Sequence, residues 1–266
     1  EGSLSTIAKG MEEIGVRGST CFEVTDRNRG MEEIEEGVAE NIRFANEVDE
    51  RLKKGEDVLC EATIGGHAPF TIPDEGLKMM GDAMEKTGRG MHIHVAEASY
   101  DSVWSHHFYN KDLADRCNTK LPLIKNLCLG TDGCGGNMFE EIKIAFFKHK
   151  DVTGPWWPSN FLEVLNRGNK LVESQFGGRI KLGRIEEGYK ADIVLLDYNN
   201  PTPLVTANAP NHFVWGMGSG NVNTTIVNGK VLFKDHHFVR TDAEDIYKRA
   251  SVVAGELWKE VDKIKA

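Results

Sequence analysis

The chain of 266 residues contains no apolar run near the roughly 20 residues that a bilayer span requires, and no signal-peptide pattern opens it. It also lacks a basic excess: 32 Lys and Arg against 41 Asp and Glu give a net charge of -9. A nucleic-acid partner needs a basic surface to displace phosphate counterions, so that class is excluded in favour of a small-molecule substrate. Cysteine is sparse, five residues with no CxxC pair, and the odd count reads as free thiols in a reducing compartment. Neither GxGxxG nor GxxxxGK[ST] is present, so the glycines from Gly133 to Gly136 read as a tight turn rather than a phosphate cradle. These absences leave a cytoplasmic protein with no membrane and no nucleic acid among its partners.

What is present is a chain of ordinary hydrophobic content, 40%, long enough for one large domain or a large and a small one. Leu4, Ile7, Ala8, Met11 and Ile14 step by three and four, which predicts a helix ending at Gly15, with a strand over 16–24. A second helix is predicted over 31–54, with Ile34, Val38, Ile42, Ala45 and Val48 on one face, and a strand over 58–64. Thr71 reads as the N-cap of a third helix with Pro73 in its first turn, followed by a strand over 91–96. Alternation of this kind belongs to an α/β fold with a parallel sheet, whose ligands sit at the carboxyl ends of the strands.

The central stretch is Met91-His92-Ile93-His94-Val95-Ala96-Glu97. Alternate strand residues face the same way, so His92 and His94 share a face and Glu97 follows where strand gives way to loop. Residues 127–133, Leu-Cys-Leu-Gly-Thr-Asp-Gly, repeat the pattern as a short buried strand that ends on Asp132. Between these two strands the rhythm breaks. The span 98–126 is about half of what two further strand and helix pairs need at roughly 30 residues each, and the shortfall is placed between about Asn110 and Cys117.

Further on, Phe139–His149 reads as a helix, and the loop 151–158 carries Trp156 and Trp157, which fit packing on the outside of the sheet better than a lid or subunit contact. Beyond Gly183 short strands take over, at 191–197 and 224–233, with Asn228-Gly229 as a hairpin turn. Thr241 and Glu244 have capping-box spacing for a last helix whose stripe is Ile246, Ala250, Val253, Leu257, Val261 and Ile264.

Four motifs carry a resemblance: His67-Ala-Pro-Phe-Thr, His92-Ile-His-Val-Ala-Glu97, Leu129-Gly-Thr-Asp-Gly133, and Leu182-Gly-Arg-Ile-Glu-Glu-Gly-Tyr-Lys-Ala-Asp-Ile-Val-Leu-Leu-Asp197. In that order they resemble the metal-dependent amidohydrolase superfamily, in its deaminase and chlorohydrolase-like branch, with the SsnA-type aminohydrolases nearest. The resemblance implies a (β/α)8 TIM-type barrel, incomplete in this sequence, with a small β-sandwich. It divides the chain into a barrel over 1–182, the C-terminal share of the sandwich over 183–240, and a helix over 241–266 that packs on the barrel. It implies His94 and Asp132 as ligands of one divalent metal ion, Zn2+ first and Fe2+ second. Asp132 is also the catalytic base, Glu97 the proton shuttle and His67 a substrate contact. A metal of this kind lowers the pKa of its water from 15.7 to about 7 and so supplies hydroxide at neutral pH. The implied activity is hydrolytic deamination of a heterocyclic amine by a homo-oligomer, with hydrolysis of a cyclic amide or a chloro-heterocycle as the alternative.

Two departures stand beside the resemblance. The His-x-His of the family's first strand and the histidine of its sixth are absent, and a catalytic zinc takes three protein ligands, which keeps a non-catalytic scaffold open as a rival. Plainer readings also exist for each residue. Asp132 has the position to cap a helix starting near Asn137, Glu97 to be a surface carboxylate, and His67 to stabilise its own loop. His92 is read as a core residue one layer deeper in the barrel, and the pairs His106-His107 and His236-His237 as solvent-facing.

Overall fold

The computed structural model describes residues 2–111 and 127–265. The segment proposed to be short, near 110–117, lies almost wholly outside the described residues. Helix α1 (Ser3–Ile14) buries Leu4 and Ala8 and ends as the sequence predicts, on Gly15 at φ 95, whose N-H donates to the Met11 carbonyl. A side chain there would be strained, and its Cβ would come within 2.8 Å of Leu232. Strand β1 (Gly18–Thr20) pairs in parallel with β2 (Cys60–Ala62), and β3 (Ile64–Gly66) with β4 (Met91–Ile93). A parallel bridge from Val24 to Gly66 joins the two pairs into one wall. Helices α2 (Met31–Lys53) and α3 (Asp74–Thr87) cover one side of it.

Period-two alternation sorts the wall's residues. Ile64 packs among Ile34, Ile72 and Met80 on the helix side, and Cys60 and Ala62 pack with Leu4 and Phe44. Glu61, Thr63, Gly65 and His67 therefore face the other way, as do His92 and His94, because Met91 and Ile93 lie on the helix side. Gly65 is needed here: an added Cβ would meet the Phe22 carbonyl oxygen at 2.4 Å and Cys21 at 2.7 Å.

At the amino-terminal side of the wall Glu61 is almost fully buried, 1% exposed, and lies 3.1 Å from Arg89, with Arg179 as its second partner. Arg89 also reaches Asp49 at 2.6 Å, so the Glu61 carboxylate ties β2 through Arg89 to α2 and to the entry of β4, and through Arg179 to the segment that follows Gln175. Arg17 fixes the small β unit in the same manner, with a two-pronged pair to Asp192 at 2.9 and 3.2 Å.

After α4 (Ser99–Tyr109), the second half holds α5 (Met138–Asp151) and α6 (Pro158–Gln175), which enclose a core of Ile142, Phe146, Phe161 and Val214. Strands β5 (Ile193–Leu196), β6 (Val222–Val227), β7 (Lys230–Lys234) and β8 (His237–Phe238) form one antiparallel sheet in that order. The Asn228-Gly229 turn has positive φ at both residues, 51 and 75, as a type I′ hairpin requires. Helix α7 (Ala243–Lys265) closes the described chain.

Four readings are corrected by the structure. Residues 127–130 are not a buried strand: they pair with no strand among the described residues, and Leu127 is 42% exposed. His92 is exposed rather than a core residue, because among the described residues β4 pairs only with β3 and nothing covers its outer side. Thr71 does not cap α3; it closes a 3-10 turn over Pro69–Thr71, and Pro73 takes the cap position. Helix α7 forms, but Val253, Leu257 and Ile264 of its stripe are all more than half exposed, so the stripe is not packed against the barrel among the described residues.

Candidate active site

The carboxyl ends of the three parallel runs set the site, since that edge is where open parallel sheets and barrels hold ligands. His67 follows β3 and His94 follows β4, and the His94 N-H donates to the His67 carbonyl at 3.0 Å. Their rings stand 6.2 Å apart, and those of His92 and His94 6.3 Å apart. The structure thus brings together two of the four residues singled out from the sequence.

His67 is held by a residue that the sequence reading assigned elsewhere. Its Nδ1 lies 2.8 Å from the Thr71 hydroxyl, and that hydroxyl donates its one hydrogen to the Ala68 carbonyl at 3.0 Å. A hydroxyl that spends its hydrogen on Ala68 can only accept from Nδ1-H, and a neutral imidazole held in that way presents an unprotonated Nε2. Nε2 faces the Glu23 carboxylate at 3.8 Å, beyond hydrogen-bond reach. The Pro69–Thr71 turn places this hydroxyl, so the His-Ala-Pro-Phe-Thr motif is a device for setting one imidazole.

Glu97 is exposed and follows Ala96, whose φ of 57 puts a Cβ-bearing residue in the left-handed region. Such backbone is uncommon outside glycine, and here it turns the chain from β4 towards α4, where Asp101 accepts the Ala98 N-H at 3.2 Å. Glu97 therefore shares the rim with His67 and His94 by position in the chain.

Asp132 sits in the loop before α5, at φ 52, and its carboxylate accepts the N-H of the next residue, Gly133. It is not the cap of α5; Asn137 is, accepting the Phe139 N-H at 3.2 Å. No hydrogen bond or ion pair joins Asp132 to His94 or Glu97 among the described residues. The loop is tied instead to the turn that precedes β6, with Asn137 donating to the Ser219 hydroxyl at 3.1 Å.

The described residues do not assemble a metal site by themselves. No group of three His, Cys, Asp or Glu side chains among them converges to hold an ion, and His94 with Asp132 makes two ligands where a catalytic zinc takes three. Thiol chemistry at Cys21 and Cys60 is also disfavoured: burial raises Cys21 and pushes Cys60 up to about 11, so both remain protonated near neutrality.

The model of the Amidohydrolase family matches residues 2–122 and 122–232, and the chain belongs to that family. A 5'-deoxyadenosine deaminase of Methanosarcina mazei is 27% identical over 96% of this chain and 70% of its own length. A 5-methylthioadenosine/S-adenosylhomocysteine deaminase of Pelotomaculum thermopropionicum is 28% identical over 93% of this chain and 68% of its own. The first of these alignments extends over 311 residues against 266 in this chain, so that relative carries stretches with no counterpart here.

Among solved structures, a zinc-bound adenosine deaminase from Xanthomonas campestris superposes with a TM-score of 0.72 at 17% identity, covering 97% of this chain and 69% of its own. Atrazine chlorohydrolase from Arthrobacter aurescens, also with zinc, gives 0.71 at 13% identity, over 95% and 69%. The fold is TIM-barrel-like, with mixed helix and sheet.

Proposed function

We propose that this chain is an aminohydrolase that deaminates a heterocyclic amine of purine or pyrimidine type by addition of water. The observation that carries the reading is the placement of His67 and His94 side by side at the carboxyl ends of adjacent parallel strands, with Glu97 on the turn that follows. The named deaminases among its relatives support it.

In the proposed reaction, water adds to the ring carbon that bears the amino group, and Asp132 accepts the proton that water gives up. Glu97 protonates the adjacent ring nitrogen during addition, takes the proton of the added hydroxyl as the carbonyl forms and passes it to the departing amine, so that ammonia leaves and an oxo heterocycle remains; the proton held by Asp132 then restores Glu97. His67 holds the ring through Nε2, which accepts a hydrogen bond because Thr71 keeps the proton on Nδ1.

A divalent ion, Zn2+ before Fe2+, would supply a water of lowered pKa. His94 and Asp132 are the two ligands proposed for it, and its retention then depends on ligands other than these. We assign the chain to the cytoplasm, on its free thiols, and to a homo-oligomer. Its antiparallel sheet is read as one layer of a small β-sandwich over 183–240, beside the barrel over 1–182 and the helix over 241–266.

The test is ammonia release from adenosine, 5'-deoxyadenosine and cytosine, with Zn2+ or Fe2+ supplied. Release that Glu97→Gln abolishes is the expected result; chloride release from a chlorotriazine without ammonia from any amine would move the assignment to the chlorohydrolase alternative. A second reading, a scaffold that binds without catalysis, is favoured by the absence of a third ligand among the described residues. It predicts neither product.

A further inference from the structure

Beside His67 lies a cavity of about 320 Å³ that no motif identified. Its walls come from the three segments that leave the parallel wall at its carboxyl end. Asp26 and Arg27 follow Val24, Phe70 and Thr71 follow β3, and Tyr100 and Trp104 follow β4. The volume is at the low end of the roughly 300 to 1,000 Å³ typical of small-molecule pockets, so it suits one heterocyclic base.

We propose that this cavity is the subsite that grips the planar, amino-bearing heterocycle of the substrate, with Trp104 as its stacking surface and Asp26 as its acceptor. The inference rests on the deaminase reading for which reaction follows, but not for the binding itself. Tyr100 and Trp104 stand four residues apart on one face of α4, with ring centroids 5.5 Å apart. Phe70 meets them edge-on, at 87° to Tyr100 and 63° to Trp104, while Phe108 packs on Trp104 at 4.3 Å and 35°, so one ring contact of Trp104 is already made and the others meet it at an angle.

Charge selects among flat and cationic ligands. The Asp26 carboxylate takes no hydrogen bond or ion pair among the described residues, and an exocyclic amine or ring N-H has the donors to satisfy it. Arg27 lies 5.4 Å above the Phe70 ring without a carboxylate partner among the described residues. An alkylammonium ligand would meet that guanidinium as a like charge, whereas a neutral aromatic ring would not. Thr71 both lines the cavity and contacts His67, so one side chain links the cavity to the imidazole.

The experiment titrates the full chain with adenine by calorimetry, with tetramethylammonium as the cationic control. Adenine binding that weakens about tenfold in Trp104→Leu, and several-fold in Asp26→Asn, with Trp104→Phe close to the parent, is the expected result. Three outcomes overturn the subsite: no adenine binding at millimolar concentration, equal binding by Trp104→Leu and the parent, or tetramethylammonium binding tighter than adenine. Should Trp104→Leu fail to fold, Asp26→Asn and Trp104→Phe decide by the same criteria. Ammonia release in the same samples separates the two readings. Binding that passes these tests without any release removes the deaminase reading and leaves the subsite.

Discussion

Thr71→Val removes one hydroxyl and almost no volume. Thr71 is 4% exposed, and its hydroxyl links the His67 Nδ1 at 2.8 Å to the Ala68 carbonyl at 3.0 Å. That carbonyl keeps the Thr71 backbone N-H at 3.0 Å, so valine leaves it partnered and the main loss is the acceptor for Nδ1-H. A neutral hydrogen bond of this kind contributes about 1 kcal/mol, which corresponds to roughly a fivefold change in an equilibrium. The substitution frees the proton to move to Nε2, where a donor replaces the acceptor that faces the substrate. We expect kcat/KM to fall by about fivefold, with Thr71→Ser close to the parent. The direct assay is the 15N spectrum of the histidine rings. In the parent, His67 should show a protonated Nδ1 and an unprotonated Nε2, and in Thr71→Val the pattern should shift towards the other tautomer. An unprotonated Nδ1 in the parent would refute the reasoning, whatever the kinetics showed.

Asp132→Asn keeps the loop but cannot accept a proton, so turnover should vanish while the thermal midpoint stays within a few degrees; near-normal turnover would remove Asp132 from the base role. Glu40 is held at about 2 by its hydrogen bonds from Arg43 and from the N-H groups of Gly2 and Leu4, against an ordinary value of 4.5. A carboxylate lowered in this way stabilises the fold above its ordinary pKa and loses that contribution as pH falls from about 4.5 through about 2, a contribution of at most about 3 kcal/mol. Glu40→Gln should therefore flatten the acid limb of a stability-against-pH curve in that window, and an unchanged limb would contradict the assignment. Glu61→Leu leaves Arg89 and Arg179 without their shared buried partner. Arg89 keeps Asp49 and Arg179 is 37% exposed, so the cost falls at the low end of the range for a broken buried pair, about 3 kcal/mol in urea unfolding. A loss below about 1 kcal/mol would show that the clamp is not structural.

Helices α1, α2 and α3 were legible in the sequence because each carries a one-sided apolar stripe and a stop signal, and that information is local. The motif residues His67 and His94 were legible for the same reason, one at the end of each strand. What the sequence hid depends on neighbours far along the chain. His92 reads as buried on any strand of a closed barrel; it is exposed because among the described residues β4 has a partner on one side only. Leu127–Leu129 has a strand's composition, but a parallel strand exists only beside another, and none pairs with it among the described residues. Thr71 before Pro73 matches a helix cap in type and position; its use by His67 needs a turn that brings the hydroxyl back four residues. Helix α6 was missed outright, since its start lies in the Trp-Trp-Pro stretch that reads as loop. The Tyr100 and Trp104 pair did leave a signal, two aromatic residues at helical spacing just after the central motif, and that spacing is the feature to search for in such chains.

The central claim is that this chain exchanges an amino group on a heterocycle for an oxygen from water. Incubation of the intact chain with 5'-deoxyadenosine in 18O-labelled water, with Zn2+ supplied, tests it directly by mass spectrometry of the product and a parallel ammonia assay. The account predicts one heavy oxygen in the product and ammonia in equal amount. Unaltered nucleoside with no ammonia, under Zn2+ and Fe2+ alike and with adenosine and cytosine as well, would contradict it and favour the scaffold that binds without catalysis.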